Sequence, residues 1–414
     1  MKTNATVPSA GDPELQQLQT STSRPAFTRP TARGHAAPTR LALVLALTMV
    51  LVACAGRPGP GSLTVSQEPA PDATEHTVLV ATTRQRDTRP GSLFSGERAD
   101  ELDHAVATVS VPPSHEPGKI EWPSAPPGNP ETDFTLRAAS YLDDTGFRAA
   151  LNRELAKRPK GQREVFVFVH GYNTRFPEAL YRMVQLKHDS GLPQVAVLFT
   201  WASSGEITGY LYDNNSATIA RDGLEKTLRA VAASNAEKVN VLAHSMGNWV
   251  LTETARQIRI SGKPLPRNKM GLLAMAAPDL DVDVFKSQLR RSGKPDRPYV
   301  ILVSRDDRAL QASSLLAGGK QRLGAYDDEE GLAELGAVVV DLTEVKGADA
   351  SNHGKFAQLA QAAPELRRAL ESLDLRAQVG TTDATVETVG NTAKAAITFP
   401  LRILTAPITA LSRQ

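Results

Sequence analysis

The sequence predicts an α/β domain built on a mostly parallel, eight-stranded sheet with helices on both faces. Two observations predict it. From about residue 165 onward, short apolar runs alternate with segments of helical periodicity. The runs are continuous rather than alternating, which marks strands buried on both faces. Parallel neighbours need a crossover between them, and a helix in each gap supplies it.

Taken in order, "HTVLVATTR" (76–84) and "HAVATVSVP" (104–112) read as two early strands, and the proline-laden stretch 113–135 reads as irregular. "VFVFVHG" (165–171) is a strand followed by a helix over 176–189. "QVAVLFTW" (194–201) is the next strand, and a helix over about 216–233 carries Ala220, Leu224, Leu228 and Val231 on one face. "KVNVLAHS" (238–245) leads into a helix over 246–259. "KMGLLAMAAPD" (269–279), a helix over 281–291, "PYVILVS" (298–304) and a helix over 308–317 continue the alternation. "GAVVVDLTEV" (336–345) is the eighth strand, before a helix over about 354–373. One domain, residues 76–375, accounts for all of them.

The ends read differently. "LALVLALTMVLVA" (41–53) has no charged residue. It is shorter than the roughly 20 apolar residues a spanning helix needs, and matches the apolar region of a signal peptide. "LVAC" (51–54) resembles the lipobox of bacterial lipoproteins, which implies that Cys54 is lipidated. An ordinary signal peptide cut after Ala55 and an uncleaved anchor are the alternatives. Residues 1–54 are therefore the signal and lipobox region, and the Pro/Gly-rich stretch 55–75 reads as a tether. The expected location is a bacterial envelope, anchored in the outer membrane and facing the periplasm. The tail 376–414 contains Pro400 and Pro407, so it cannot form one continuous spanning helix. It packs onto the domain or lies on a membrane surface.

Composition removes several function classes. The chain has 47 basic and 45 acidic residues, a net charge of +2, so no single-sign field supports a nucleic-acid groove. One cysteine allows neither an intrachain disulfide nor a four-cysteine metal site. No dinucleotide fingerprint appears, and no cofactor or metal is expected.

The chemistry concentrates in "AHSMG", Ala243 to Gly247, between a strand and a helix. A G-x-S-x-G elbow exposes its serine at such a turn, and here alanine replaces the first glycine. Ser245 is the candidate nucleophile; the plain alternative is a helix cap. A hydroxyl needs a base, and in this arrangement the order is nucleophile, acid, histidine. Of eight histidines only His353 follows Ser245, in a loop after the last strand. Asp279, Asp281, Asp283, Asp306 and Asp307 are candidate acids at strand ends; Asp307 is chosen, with Asp306 close behind. The backbone N–H groups of Met246 and Tyr172 are the candidate oxyanion donors, Gly171 keeping that backbone accessible. His170 is read as bracing the turn, and 202–215 as lining the pocket.

These segments together, "VFVFVHGYNTRFPEALYRMVQL", "VLFTWASSG", "VNVLAHSMGNWVL", "LLAMAAPDLDVDVF" and "VSRDDRAL" with a late histidine, resemble the bacterial α/β-hydrolases catalogued as domain of unknown function 900, in the esterase/lipase superfamily. The resemblance covers about residues 76–370. It implies an α/β-hydrolase fold, a serine hydrolase mechanism, and a triad of Ser245, Asp307 and His353. The aspartate directly before "RAL" is the matching one, which favours Asp307. The expected function is cleavage of carboxylic esters, acyl lipids among them, through an acyl-enzyme on Ser245. A non-catalytic envelope binding or scaffold protein and an acyltransferase are the alternatives. The expected partners are a small ester or lipid substrate and, through Cys54, a membrane.

Overall fold

The carboxyl ends of the central strands hold the candidate site, because the chain reverses its direction of travel across the sheet there. The structure, a computed structural model, describes residues 57–59, 61–292, 298–328, 331–332, 336–347, 349–362 and 402–404. The leader with Cys54 and most of the tail lie outside the described residues.

Ten strands form one sheet: β1 (Thr74–Arg86), β2 (Phe94–Val111), β3 (Thr135–Leu142), β4 (Glu164–Val169), β5 (Val195–Thr200), β6 (Lys238–His244), β7 (Met270–Ala276), β8 (Tyr299–Val303), β9 (Val338–Asp341) and β10 (Arg402–Leu404). Their spatial order is β10-β9-β8-β7-β6-β4-β5-β1-β2-β3. Every pair from β1 to β9 through the centre is parallel, and β2, β3 and β10 join antiparallel at the two edges. The chain steps outward from β4 to β5 and then returns across β4 to β6. Open α/β sheets bind ligands in the crevice that such a reversal leaves, here beyond the ends of β4 and β6.

Among the described residues six α-helices cover the sheet: α1 (Asp144–Ala156), α2 (Phe176–Ser190), α3 (Tyr210–Ala232), α4 (Gly247–Ile260), α5 (Val282–Ser292) and α6 (Arg308–Leu316). Phe147 and Leu151 of α1, Leu224 and Leu228 of α3, Val250 of α4 and Phe285 of α5 pack on one face with Val165, Val167 and Val169 of β4. Leu180 and Val184 of α2, with Phe356 and Leu359, pack on the other face with Phe168. Alternate residues of β4 thus point into two separate cores, which is why the strand reads as apolar throughout. All six residues of β5 and all five of β8 are buried for the same reason.

Four expectations change. The sheet has ten strands, not eight. β3 escaped because an edge strand buries little: Arg137, Ala138, Ala139, Ser140, Tyr141 and Leu142 are partly or fully exposed. β10 escaped because it is three residues long, within the tail, where its backbone pairs with Val339 to Asp341. The helix read over 216–233 begins at Tyr210, and the last helix is, over Lys355–Ala362, a 3-10 segment. The expected tether is docked where it is described: Leu63 is buried, Ser66 N–H donates to the Leu136 carbonyl at 2.8 Å, and Arg57 pairs with Glu178 at 2.6 Å. A segment without a core of its own has lent single anchors to its neighbour's. Among the described residues no helix is long and apolar enough to cross a membrane.

At the amino ends of the strands lies a histidine cluster. His76 Nε2 is 3.0 Å from His188 Nδ1, and His115 bridges Glu121 (2.7 Å) and Asp189 (2.8 Å). Burial, then the charges of His188 and Lys187, push His76 down to about 4. Burial, then His115, lowers His188. Burial opposes the His115 cation, but Asp189 and Glu121 outweigh it and raise its pKa. An unfolded histidine titrates near 6.5, so below that pH the unfolded chain takes up protons that His76 and His188 refuse in the folded state. Stability is therefore expected to fall as pH drops from about 6.5 towards about 4. His115 has the opposite sign and acts above 6.5. Thermal melts of wild type and His76→Gln across this range check it: the variant's melting temperature should depend less on pH.

Candidate active site

Ser245 occupies the turn between β6 and α4, with a left-handed φ of +52°. Such a backbone costs a non-glycine residue roughly 1–3 kcal/mol and persists only where surroundings over-determine it. Here they do. Ser245 N–H donates to the Ala276 carbonyl at 3.0 Å. The Ser245 carbonyl accepts from Asn248 N–H (3.1 Å), Asn248 Nδ2 (3.0 Å) and Asp279 N–H (3.3 Å). The other left-handed non-glycine residues are Asn173, Ala277 and Asn352. They follow β4 and β7 and immediately precede His353, so the strained positions among the described residues gather at the carboxyl edge of the sheet.

Two glycines explain the elbow's small-residue pattern. A Cβ on Gly247 would lie 2.4 Å from the His170 carbonyl oxygen, and one on Gly171 would lie 2.7 Å from Ser245 Cβ. The loop after β4 therefore runs in contact with the serine. Ala243, in place of the first glycine, is fully buried in the core with room for its methyl group. The amides of Tyr172 and Met246 have no hydrogen-bond partner among the described residues. Met246 is buried, and its N–H directly follows the serine at the start of α4.

Three charged side chains hold that loop. Asp213 of α3, fully buried, accepts from Asn173 N–H (3.0 Å), Ser203 Oγ (2.5 Å) and Ser204 N–H (2.7 Å). Arg84 of β1, 1% exposed, donates to Thr174 O (2.7 Å), Ser203 O (3.0 Å), Ser95 O (2.9 Å) and Thr200 Oγ1 (2.8 Å). Burial lowers its pKa to about 10, against Asp213 and Glu178, so it stays charged at neutral pH. Arg57 donates to Asn173 O (2.7 Å) and Asn173 Oδ1 (2.9 Å) from outside.

His170 braces this turn. Its Nε2 meets Thr200 Oγ1 (2.8 Å) and Trp201 N–H (3.1 Å), and its ring stacks on Trp201 at 5.0 Å. Burial, then Arg84, keeps its pKa far below the usual value.

His353 Nδ1 lies 2.7 Å from Asp307 Oδ2. Asp307 is fully buried, and its other oxygen accepts from Leu310 N–H at 2.9 Å, capping α6. Asp306 turns the other way, to Lys355 Nζ (2.6 Å), Ser304 Oγ (2.5 Å) and Asn352 Nδ2 (2.9 Å). Asp279 engages Ser313 and Arg322, and Asp281 caps α5. Of the candidate acids, Asp307 alone is hydrogen-bonded to His353. Asp349, unforeseen in the sequence, fixes the histidine loop through the amides of Ser351 (2.9 Å), His353 (3.2 Å) and Gly354 (2.8 Å).

The His353 ring packs 4.6 Å from that of His244, the residue before Ser245, and His244 Nε2 lies 3.3 Å from the His353 carbonyl oxygen. Ser245 Oγ itself makes no hydrogen bond with His353 among the described residues, a contact that in free enzymes often tightens only with substrate. Burial, then His353, keeps His244 far below its usual pKa, so it is neutral. Burial disfavours the His353 cation too, but the hydrogen bond and charge of Asp307, helped by Asp279 and Asp349, raise its pKa above the ordinary value.

Asp213, Arg84, Asn248 and Asp349 were missed. Asp213 left one trace: it lies on the buried face of α3, four residues before Ala217 and seven before Ala220. Among the described residues, no three His, Cys, Asp or Glu side chains are placed to hold a metal ion.

A search of curated proteins finds no match. The family model described as alpha/beta hydrolase of unknown function (DUF900) matches residues 143–370, from the start of α1 through the His353 loop, leaving β1 to β3 ahead of it. With a parallel sheet whose serine elbow stands at the topological reversal, the chain belongs to this α/β-hydrolase family.

Proposed function

We propose that the protein is a serine hydrolase that cleaves carboxylic esters, acyl lipids among them, through an acyl-enzyme on Ser245. The observation that carries this reading is the Asp307–His353 hydrogen bond, held against the residue that precedes a strained serine. His353 Nε2 takes the Ser245 hydroxyl proton as Oγ bonds to the ester carbonyl carbon. The carbonyl electron pair moves onto oxygen, where the Tyr172 and Met246 amides receive it, each worth about 3 kcal/mol. The intermediate collapses, the ester C–O bond breaks, and His353 returns the proton to the departing alkoxide. Water, deprotonated by the same imidazole, then releases the acid. Asp307 keeps the tautomer correct and stabilises the imidazolium.

In purified protein, Ser245→Ala is expected to abolish hydrolysis of short-chain esters and labelling by a fluorophosphonate. Asp307→Asn should reduce kcat about 10⁴-fold. Asp306→Asn should act mainly on stability, through Lys355. Unchanged labelling of Ser245→Ala would end the reading.

The base must be neutral, and its pKa is raised by Asp307. The acid limb of kcat/KM should therefore have its midpoint above the usual 6.5 of histidine. A midpoint well below that value would argue against His353 as the base.

We also propose that the protein is a lipoprotein of the bacterial envelope, acylated on Cys54, outer-membrane bound and facing the periplasm. Cells grown with labelled fatty acid should incorporate it into wild type and not into Cys54→Ala; incorporation in both would refute the anchor.

A further inference from the structure

The mouth of the site carries exposed apolar side chains from two elements. Ile207, in the 3-10 turn that leads into α3, and Leu211, in the first turn of α3, are 75% and 78% exposed. Leu315 and Leu316, at the end of α6, are 79% and 72% exposed. The pairs flank one contact: Tyr210 OH lies 3.1 Å from Ser313 Oγ, joining the two helices. The Tyr172 hydroxyl donates to the Ile207 carbonyl, which ties the first pair to the oxyanion loop. No charged residue occurs in 207–212 or 309–319. Isolated apolar residues need no explanation, but a group of large ones around a crevice does.

The chain ahead of the domain arrives beside this surface. Arg57 is docked beside this surface: it donates to Asn173 O and, at 3.1 Å, to Gly205 O, two residues before Ile207. Pro58 O accepts from Arg175 at 3.2 Å. Cys54 is three residues upstream of Arg57, and three residues reach at most about 11 Å. An acyl group on Cys54 would begin within that distance of Arg57. The anchor is too short to present the far edge of the sheet to the bilayer while Arg57 stays docked.

We propose that Ile207, Leu211, Leu315 and Leu316 seat in the bilayer surface, so that the crevice over Ser245 opens onto the membrane and takes acyl lipids from it. This rests on the readings of Cys54 as the anchor and Ser245 as the nucleophile. An uncharged apolar face suits the boundary between headgroups and acyl chains, and tethering beside it makes insertion an intramolecular event.

The test uses the full, acylated chain, in which the Cys54 sulfur is consumed in a thioether. Leu211→Cys, Leu315→Cys and, at the opposite edge, Lys157→Cys each then offer one thiol for a fluorophore. Vesicles of phosphatidylethanolamine and phosphatidylglycerol carry nitroxide-labelled acyl chains. Emission should be largely lost at 211 and 315 and retained at 157. Equal emission at all three positions, with the protein floating on the vesicles, overturns the proposal and leaves the anchor standing. Protein that does not float overturns both. A spectral shift at 211 and 315 before vesicles are added, with doubled mass, assigns the surface to a second copy and overturns it as well. Fluorophosphonate labelling of the same sample reports separately on Ser245: failure there, with quenching intact, removes the lipid-cleaving part and keeps the docking.

Discussion

The contact between the loop after β4 and the turn after β6 governs this molecule. Gly171 leaves no room for a side chain against Ser245, and Gly247 leaves none against the His170 carbonyl. Two backbones can approach this closely only where neighbouring strands end side by side, and β4 and β6 are neighbours because the chain reverses between β5 and β6. The approach forces Ser245 into a left-handed conformation, and the bonds from Asn248 and Asp279 hold it there. Strain at the serine and free amides beside it are two consequences of one packing constraint.

The rest of the carboxyl edge supports that contact from below and behind. Arg84 and Asp213 are buried charges, costly to desolvate, yet each directs its hydrogen bonds at loop backbone or at the hydroxyls of Thr200 and Ser203. An apolar pair in their place could fill the volume but could not hold Asn173, Thr174 and Ser204 in one arrangement. These hydrogen bonds offset the cost of burial and fix the loop that carries the Tyr172 amide. Asp349 does for the histidine loop what Asp213 does for the other.

The parts of this design written in local pattern were legible in the sequence. Apolar runs marked the buried strands, and Ser245 and His353 stood out through spacing and chain order, while Asp307 was separated from Asp306 only by the family resemblance. What was not legible depends on distant partners. Beyond its place on the buried face of α3 Asp213 has no local mark, and nothing local distinguishes Arg84 from an arginine at a strand end, since Asp213 holds a loop 40 residues away and Arg84 one 90 residues away. β3 and β10 were missed because edge strands need neither a continuous apolar run nor length. The tether was misread because composition reports whether a segment can form a core, not whether it can dock on one.

The histidines near the elbow illustrate how environment assigns roles to identical side chains. His170 and His353 lie in loops beside Ser245, and His244 ends β6 directly before it. Burial beside Arg84 keeps His170 uncharged, and burial beside His353 does the same for His244. Only His353 has a carboxylate at 2.7 Å, and only its proton affinity is raised. The neutral pair matters to the third. A protonated His244, with its ring 4.6 Å away, would repel an imidazolium at His353, the charge that the proposed general-base role requires. By holding two imidazoles neutral, the packing concentrates the available basicity on the ring that Asp307 orients. Phe356 reinforces this by stacking on His244 at 4.3 Å, so the ring that must stay uncharged is sheathed by the 3-10 segment that follows His353 in the chain.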